Sequence, residues 1–124
     1  MMAYGINRNT ANDIIRKGAI LRRKMQNNKY KEIYKLSLML DEAEIPFSCT
    51  PHFDGFHIVC YDKYTEAEIC SVVEHQFSYG HEGDKLEIMG LLTEQERYDT
   101  VRGWLTAKDV LERVQQYYKE NSHE

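Results

Sequence analysis

Hydrophobic positions change their spacing along the chain, and the changes mark the elements. Ala11, Ile14, Gly18, Leu21 and Met25 fall in a narrow arc at about 100° per residue, the signature of an amphipathic helix. Thr10-Ala11-Asn12-Asp13 supplies a capping box for its start. Asn27-Asn28 breaks the pattern. A second helix is predicted over about 29–43, with Ile33, Leu36, Leu40 and Ala43 as its inner stripe, widened by Tyr30 and Met39. Pro46 pushes Ile45 toward extended geometry, so this helix must be over by then.

From there the spacing falls to two. Phe53-Asp54-Gly55-Phe56 places Asp-Gly at the centre of a two-residue hairpin loop. That register opposes Phe53 to Phe56, Pro51 to Ile58 and Cys49 to Cys60 on one side of the ribbon. His52 then opposes His57 on the other side. Pro51 lacks a ladder donor, which places residues 46–52 on an edge strand or lengthens the loop. Residues 65–79 fit a helix through Ile69, Val72 and Val73. The alternation of Val73, His75, Phe77 and Tyr79, with β-branched and aromatic residues dominant, favours a strand. Gly80 to Gly83 turns the chain, and Leu86 and Ile88 alternate with Lys85 and Glu87 in a second hairpin. Thr93-Glu94-Gln95-Glu96 is a further capping box that opens a short turn, and residues 100–105 add a short strand. Thr106-Ala107-Lys108-Asp109 caps a last helix with Val110, Val114 and Tyr117 or Tyr118 inward, fraying near Asn121.

These elements predict one α+β domain over 1–124: two N-terminal helices, an antiparallel sheet of four to five strands built from hairpins, and a C-terminal helix packed on the sheet. Within it, residues 1–8 form a loose arm, 9–43 a basic helical segment, and 45–120 an acidic sheet with its helix. Hydrophobic residues at 42 % and charged residues at 29 % are ordinary for a soluble fold of this size. Three cysteines and an N-terminus without an apolar leader predict a reducing, cytoplasmic setting, and no apolar run is long enough to cross a bilayer.

Charge changes the picture more than composition does. Residues 1–35 carry nine Lys/Arg against two acids, a net +7, while residues 36–124 carry seven against eighteen, a net −11. Two regions of opposite potential on one chain point to a partner.

The run Ser78-Tyr79-Gly80-His81-Glu82-Gly83-Asp84-Lys85-Leu86-Glu87-Ile88-Met89-Gly90-Leu91-Leu92-Thr93 adds a separate line. With Gly103-Trp104-Leu105-Thr106-Ala107 and Val110…Glu112-Arg113-Val114, it resembles a group of small uncharacterised phage and prophage proteins of Gram-positive bacteria. The likeness spans roughly residues 69–118. It implies a genomic setting inside a bacterial host cell and brings no activity, catalytic residue or mechanism with it.

Candidate chemistry is sparse. Cys49, Cys60 and Cys70 with five histidines invite a zinc reading, which needs four ligands converging tetrahedrally. In the predicted register Cys49 and Cys60 share one sheet face and His52 and His57 the other, so one metal does not collect all four, and buried free thiols are expected instead. His52 and His57 form a cross-strand pair suited to acid–base work or pH sensing, or simply two solvated imidazoles beside a turn. Glu74 and His75 point to opposite faces and make no dyad. No phosphate loop, nucleophile elbow or His-Glu-x-x-His zinc motif is present. The best binding candidate is the basic face of the first helix, where Arg16, Lys17, Arg22, Arg23 and Lys24 could contact phosphates; a helix, a helix and a hairpin in order resemble a winged helix-turn-helix. Against this, the hairpin carries no Lys or Arg. The expectation is therefore a non-enzymatic accessory protein without a cofactor that self-associates or binds another phage or host protein. Nucleic-acid binding through the basic helix is the alternative, and a metal-dependent hydrolase the third.

Overall fold

The computed structural model describes residues 29–121. They form an antiparallel five-stranded sheet with two helices on one of its faces. The order is α1 (Lys31–Glu42), β1 (Phe47–His52), β2 (Gly55–Tyr61), β3 (Glu68–Glu74), β4 (Leu86–Met89), β5 (Arg102–Leu105) and α2 (Ala107–Glu120). Single 3-10 turns sit at His81–Gly83 and Glu94–Glu96. The strands lie side by side in chain order, so each pairs with its sequence neighbour. Of the two expected N-terminal helices, the second is α1; the first falls on residues outside those described.

The core lies between the sheet and the helices. Ile33, Leu36 and Leu40 of α1 and Val110 and Val114 of α2 meet Ile58, Cys60, Val72, Leu86 and Ile88, and all ten are fully buried. Residues three and four apart on each helix and two apart on each strand make this one apolar layer. The helices pack against each other and against β2, β3 and β5.

Both helix starts are fixed by carboxylates. Tyr30 precedes α1 without a side-chain cap of its own; instead Glu74 at the end of β3 accepts the Ile33 N–H through Oε1 at 2.9 Å. Glu32, in the first turn of α1, accepts the Ala107 N–H at the start of α2 at 2.8 Å. Thr106 and Asp109 add the expected capping box, with bonds of 3.0 and 2.9 Å. Each acid satisfies orphan donors and meets the positive end of a helix dipole.

The first hairpin differs from the predicted register. Phe47 opposes Cys60, Cys49 opposes Ile58, Pro51 opposes Phe56 and His52 opposes Gly55, so the loop centre is Phe53-Asp54. Gly55 is the reason. A Cβ there would lie 1.8 Å from the Glu74 carbonyl oxygen, so this glycine serves the approach of β2 to the end of β3. The turn is left to Phe53, which takes φ +53°. The two-residue slip keeps the paired strand side chains on their predicted faces but changes their partners, and it moves Phe53 out of the ladder into the turn. Pro51 does lie on an outermost strand.

β3 ends at Glu74, earlier than the alternation through Tyr79 predicts. The Ser78 hydroxyl accepts the His75 N–H at 3.1 Å and donates to the His75 carbonyl at 2.9 Å. Asp54 takes the Gln76 N–H at 2.8 Å. Those bonds curl residues 75–78 away from the ladder.

Candidate functional site

Three imidazoles and two phenyl rings gather at the β1–β2 turn, on the sheet face away from the helices. His52 at the end of β1 lies 5.6 Å, centroid to centroid, from His57 of β2 and 5.0 Å from His75 just past β3. Phe53 stands 4.8 Å from His75 and 5.0 Å from Phe77, edge to face in both cases. Phe53 is 64 % and Phe77 62 % exposed, so two large apolar side chains are held in ordered contact yet left to solvent. Tyr79 follows on the same loop and is also exposed, and Trp104 of β5 bonds its backbone N–H to the Tyr79 carbonyl at 3.3 Å.

The floor of this patch is polar and specific. His75 is buried, and its Nδ1 accepts the Phe77 N–H at 3.0 Å, which requires that nitrogen to be unprotonated. His57 Nε2 bonds the Ser71 hydroxyl at 2.8 Å. Burial, then the neighbouring His52, lowers the pKa of both His57 and His75, outweighing Glu68 beside the first and Glu87 and Asp54 beside the second. At neutral pH these rings are therefore uncharged. Asp54, in the turn itself, accepts from the Tyr30 hydroxyl at 2.6 Å and lies 3.3 Å from Lys29 Nζ, so the start of the described chain is fastened to the rim of the patch.

The other sequence candidates fall elsewhere. Cys60 and Cys70, not Cys49 and Cys60, are directly opposed, and both are buried. Cys70, then burial, raises the Cys60 thiol well above its ordinary range, which disfavours the reactive thiolate. No disulfide joins Cys49, Cys60 or Cys70. Among the described residues no group of three or more His, Cys, Asp or Glu is arranged to hold a metal ion, so Cys49, Cys60 and Cys70 do not assemble a site there. Arg16, Lys17, Arg22, Arg23 and Lys24 lie outside the described residues. No helix among the described residues is long and apolar enough to cross a membrane.

An open groove of about 760 Å³ runs between α2, β5 and the segment before it. Its charged side chains are already engaged. Arg113 grips both oxygens of Glu96 at 2.9 and 3.0 Å, and Arg102 joins at 3.3 Å. Arg113 holds the Glu96 carboxyl down to about 2. This is a structural clamp joining the 93–96 turn to α2.

The predicted register makes His52 and His57 directly opposed partners; in the structure Gly55 opposes His52 and Thr50 opposes His57, so the two imidazoles are neighbours on the diagonal. His75 and Phe77 join them only because the chain turns back after Glu74. Glu74 was also missed as a helix cap, though it left one signal: a carboxylate that continues the inward stripe of Cys70 and Val72. No protein family, curated protein or solved structure matches the chain.

Proposed function

We propose that this chain is a small cytoplasmic accessory protein of the phage or prophage type it resembles, acting by self-association rather than by catalysis. The observation that carries this reading is the partition of charge. Residues 29–121 carry ten Lys/Arg against eighteen acids, a net −8, whereas residues 1–28 carry six against one, a net +5. Within the body, Lys29, Lys35, Arg97, Arg102, Lys108 and Arg113 already pair with the body's own acids, which leaves anionic charge in surplus. A neighbouring copy brings the complementary cations. Exposed surface pairs contribute little singly, so the attraction comes from the two regions as wholes and is screened by salt.

Sedimentation velocity of the full chain at low and high salt tests this. Assemblies larger than one chain are expected at low salt, shrinking at high salt and in the double variant Arg16→Glu/Arg23→Glu. A single-chain species at low salt and high protein concentration would rule it out. Added DNA that binds at low salt and is released by the same two substitutions, with no assembly of protein alone, would instead assign the basic segment to phosphate contacts.

A further inference from the structure

We infer that the patch of His52, Phe53, His57, His75 and Phe77 is the surface on which a second copy of this chain docks, patch against patch about a two-fold axis. This rests on the self-association reading above and names the contact. Three observations carry it.

Phe53 and Phe77 are fixed in edge-to-face contact while more than half exposed, and an apolar surface so ordered is suited to burial against a partner. Phe53 holds this place at φ +53°, a strained conformation for a bulky residue. The third observation is where the basic residues join the body. Lys29 lies 3.3 Å from Asp54, so the six cations of residues 1–28 precede a residue anchored at the rim of the patch. A two-fold axis through the patch sets each anchor beside the acids of the other copy, Asp54 and Glu87 among them. Such an interface is self-complementary, as a two-fold dimer requires.

The imidazoles give the contact a signature. His75 faces His52 from β1, Asp54 from the turn, Glu87 from β4 and His81 from the 3-10 turn; His57 faces His52 and Glu68. Neutral, the rings bury well against their counterparts. Protonated, they place like charges across a two-fold axis and break the Phe77 N–H bond to His75 Nδ1.

Equilibrium sedimentation of the full chain at low salt is the test, with Phe53→Asn and Phe77→Ser. Asn tolerates positive φ, so the first variant relieves backbone strain, and circular dichroism confirms folding of both. Each is expected to weaken the dimer about tenfold or more. The unsubstituted dimer is expected to weaken as pH falls below the ordinary histidine range, and to do so equally in Glu74→Gln, which removes the titration of the buried carboxyl at the end of β3. A dimer indifferent to both phenylalanines overturns the patch while leaving self-association standing. A dimer that persists unchanged from neutral pH down to the range where carboxylates titrate removes the imidazoles from the contact and overturns the patch likewise. A chain that is monomeric at every salt concentration overturns both readings.

Discussion

Glu74 is the residue whose environment departs furthest from its chemistry. It has no solvent exposure, its Oε1 is occupied by the Ile33 N–H, and its Oε2 has no hydrogen-bond partner. Burial pushes its carboxyl up to about 7, with Asp84 and Glu32 adding to the rise and the backbone N–H groups of α1 opposing it. A raised folded-state pKa means that the native chain holds a proton the unfolded chain releases. The stability this contributes is complete below the ordinary carboxylate range and is lost as pH climbs through about 7. The size is on the order of 3 kcal/mol. Glu74→Gln keeps an acceptor for Ile33 and removes the titration. Urea unfolding from about pH 5 to about pH 8 is expected to show the parent chain losing stability relative to the variant as pH rises. Parallel curves would mean that Glu74 carries no proton. Glu96 behaves in the opposite sense: Arg113 holds it near 2, so its contribution is present at neutral pH and lost only in strong acid.

At the scale of elements, Gly55 shows where local pattern stops being informative. Asp-Gly is a strong hairpin signal, yet here the glycine is required by the Glu74 carbonyl of a strand thirteen residues further along, counting from Gly55 to Glu68. Gly55→Ala is expected to destabilise the fold by about 2–4 kcal/mol, measured by urea unfolding, because backbone and not a flexible side chain must move. A loss within a few tenths of a kcal/mol would mean that β2 and β3 can part there at little cost. What could be read in advance was local. The α2 start was legible because Thr106 and Asp109 cap within one turn, and the 93–96 turn because Thr93 and Glu96 do the same. The stripe of α1 was legible from its own spacing. The register of the first hairpin and the end of β3 were not, since Gly55, Asp54 and Ser78 each answer to a residue outside their own element or beyond the alternation. The candidate patch was half legible for the same reason: His52 and His57 follow from one hairpin, while His75 and Phe77 follow from how the next strand ends.

Over the whole molecule, the proposed attraction between the anionic body of one copy and the cationic first 28 residues of another would make assembly and stability inseparable. Any contact that exists only between folded chains draws the equilibrium toward the folded state by mass action. The melting temperature is therefore expected to rise with protein concentration at low salt and to lose that dependence at high salt, as scanning calorimetry can show. A melting temperature independent of concentration under both conditions would count against a folded-state partner of the same chain.

The two outermost strands set how far such assembly can go. β1 carries Pro51, which deletes a backbone donor, and β5 is four residues long, slips register against β4, and bends at Trp104, where φ is +63°. Neither margin presents the long, flat row of donors and acceptors that a foreign strand needs as a template. In the proposed pair the copies meet face to face, and a face-to-face pair about a two-fold axis is closed. Growth into cross-β fibrils is thus discouraged at both borders, by a missing donor at Pro51 on one and by a strand of only four residues on the other.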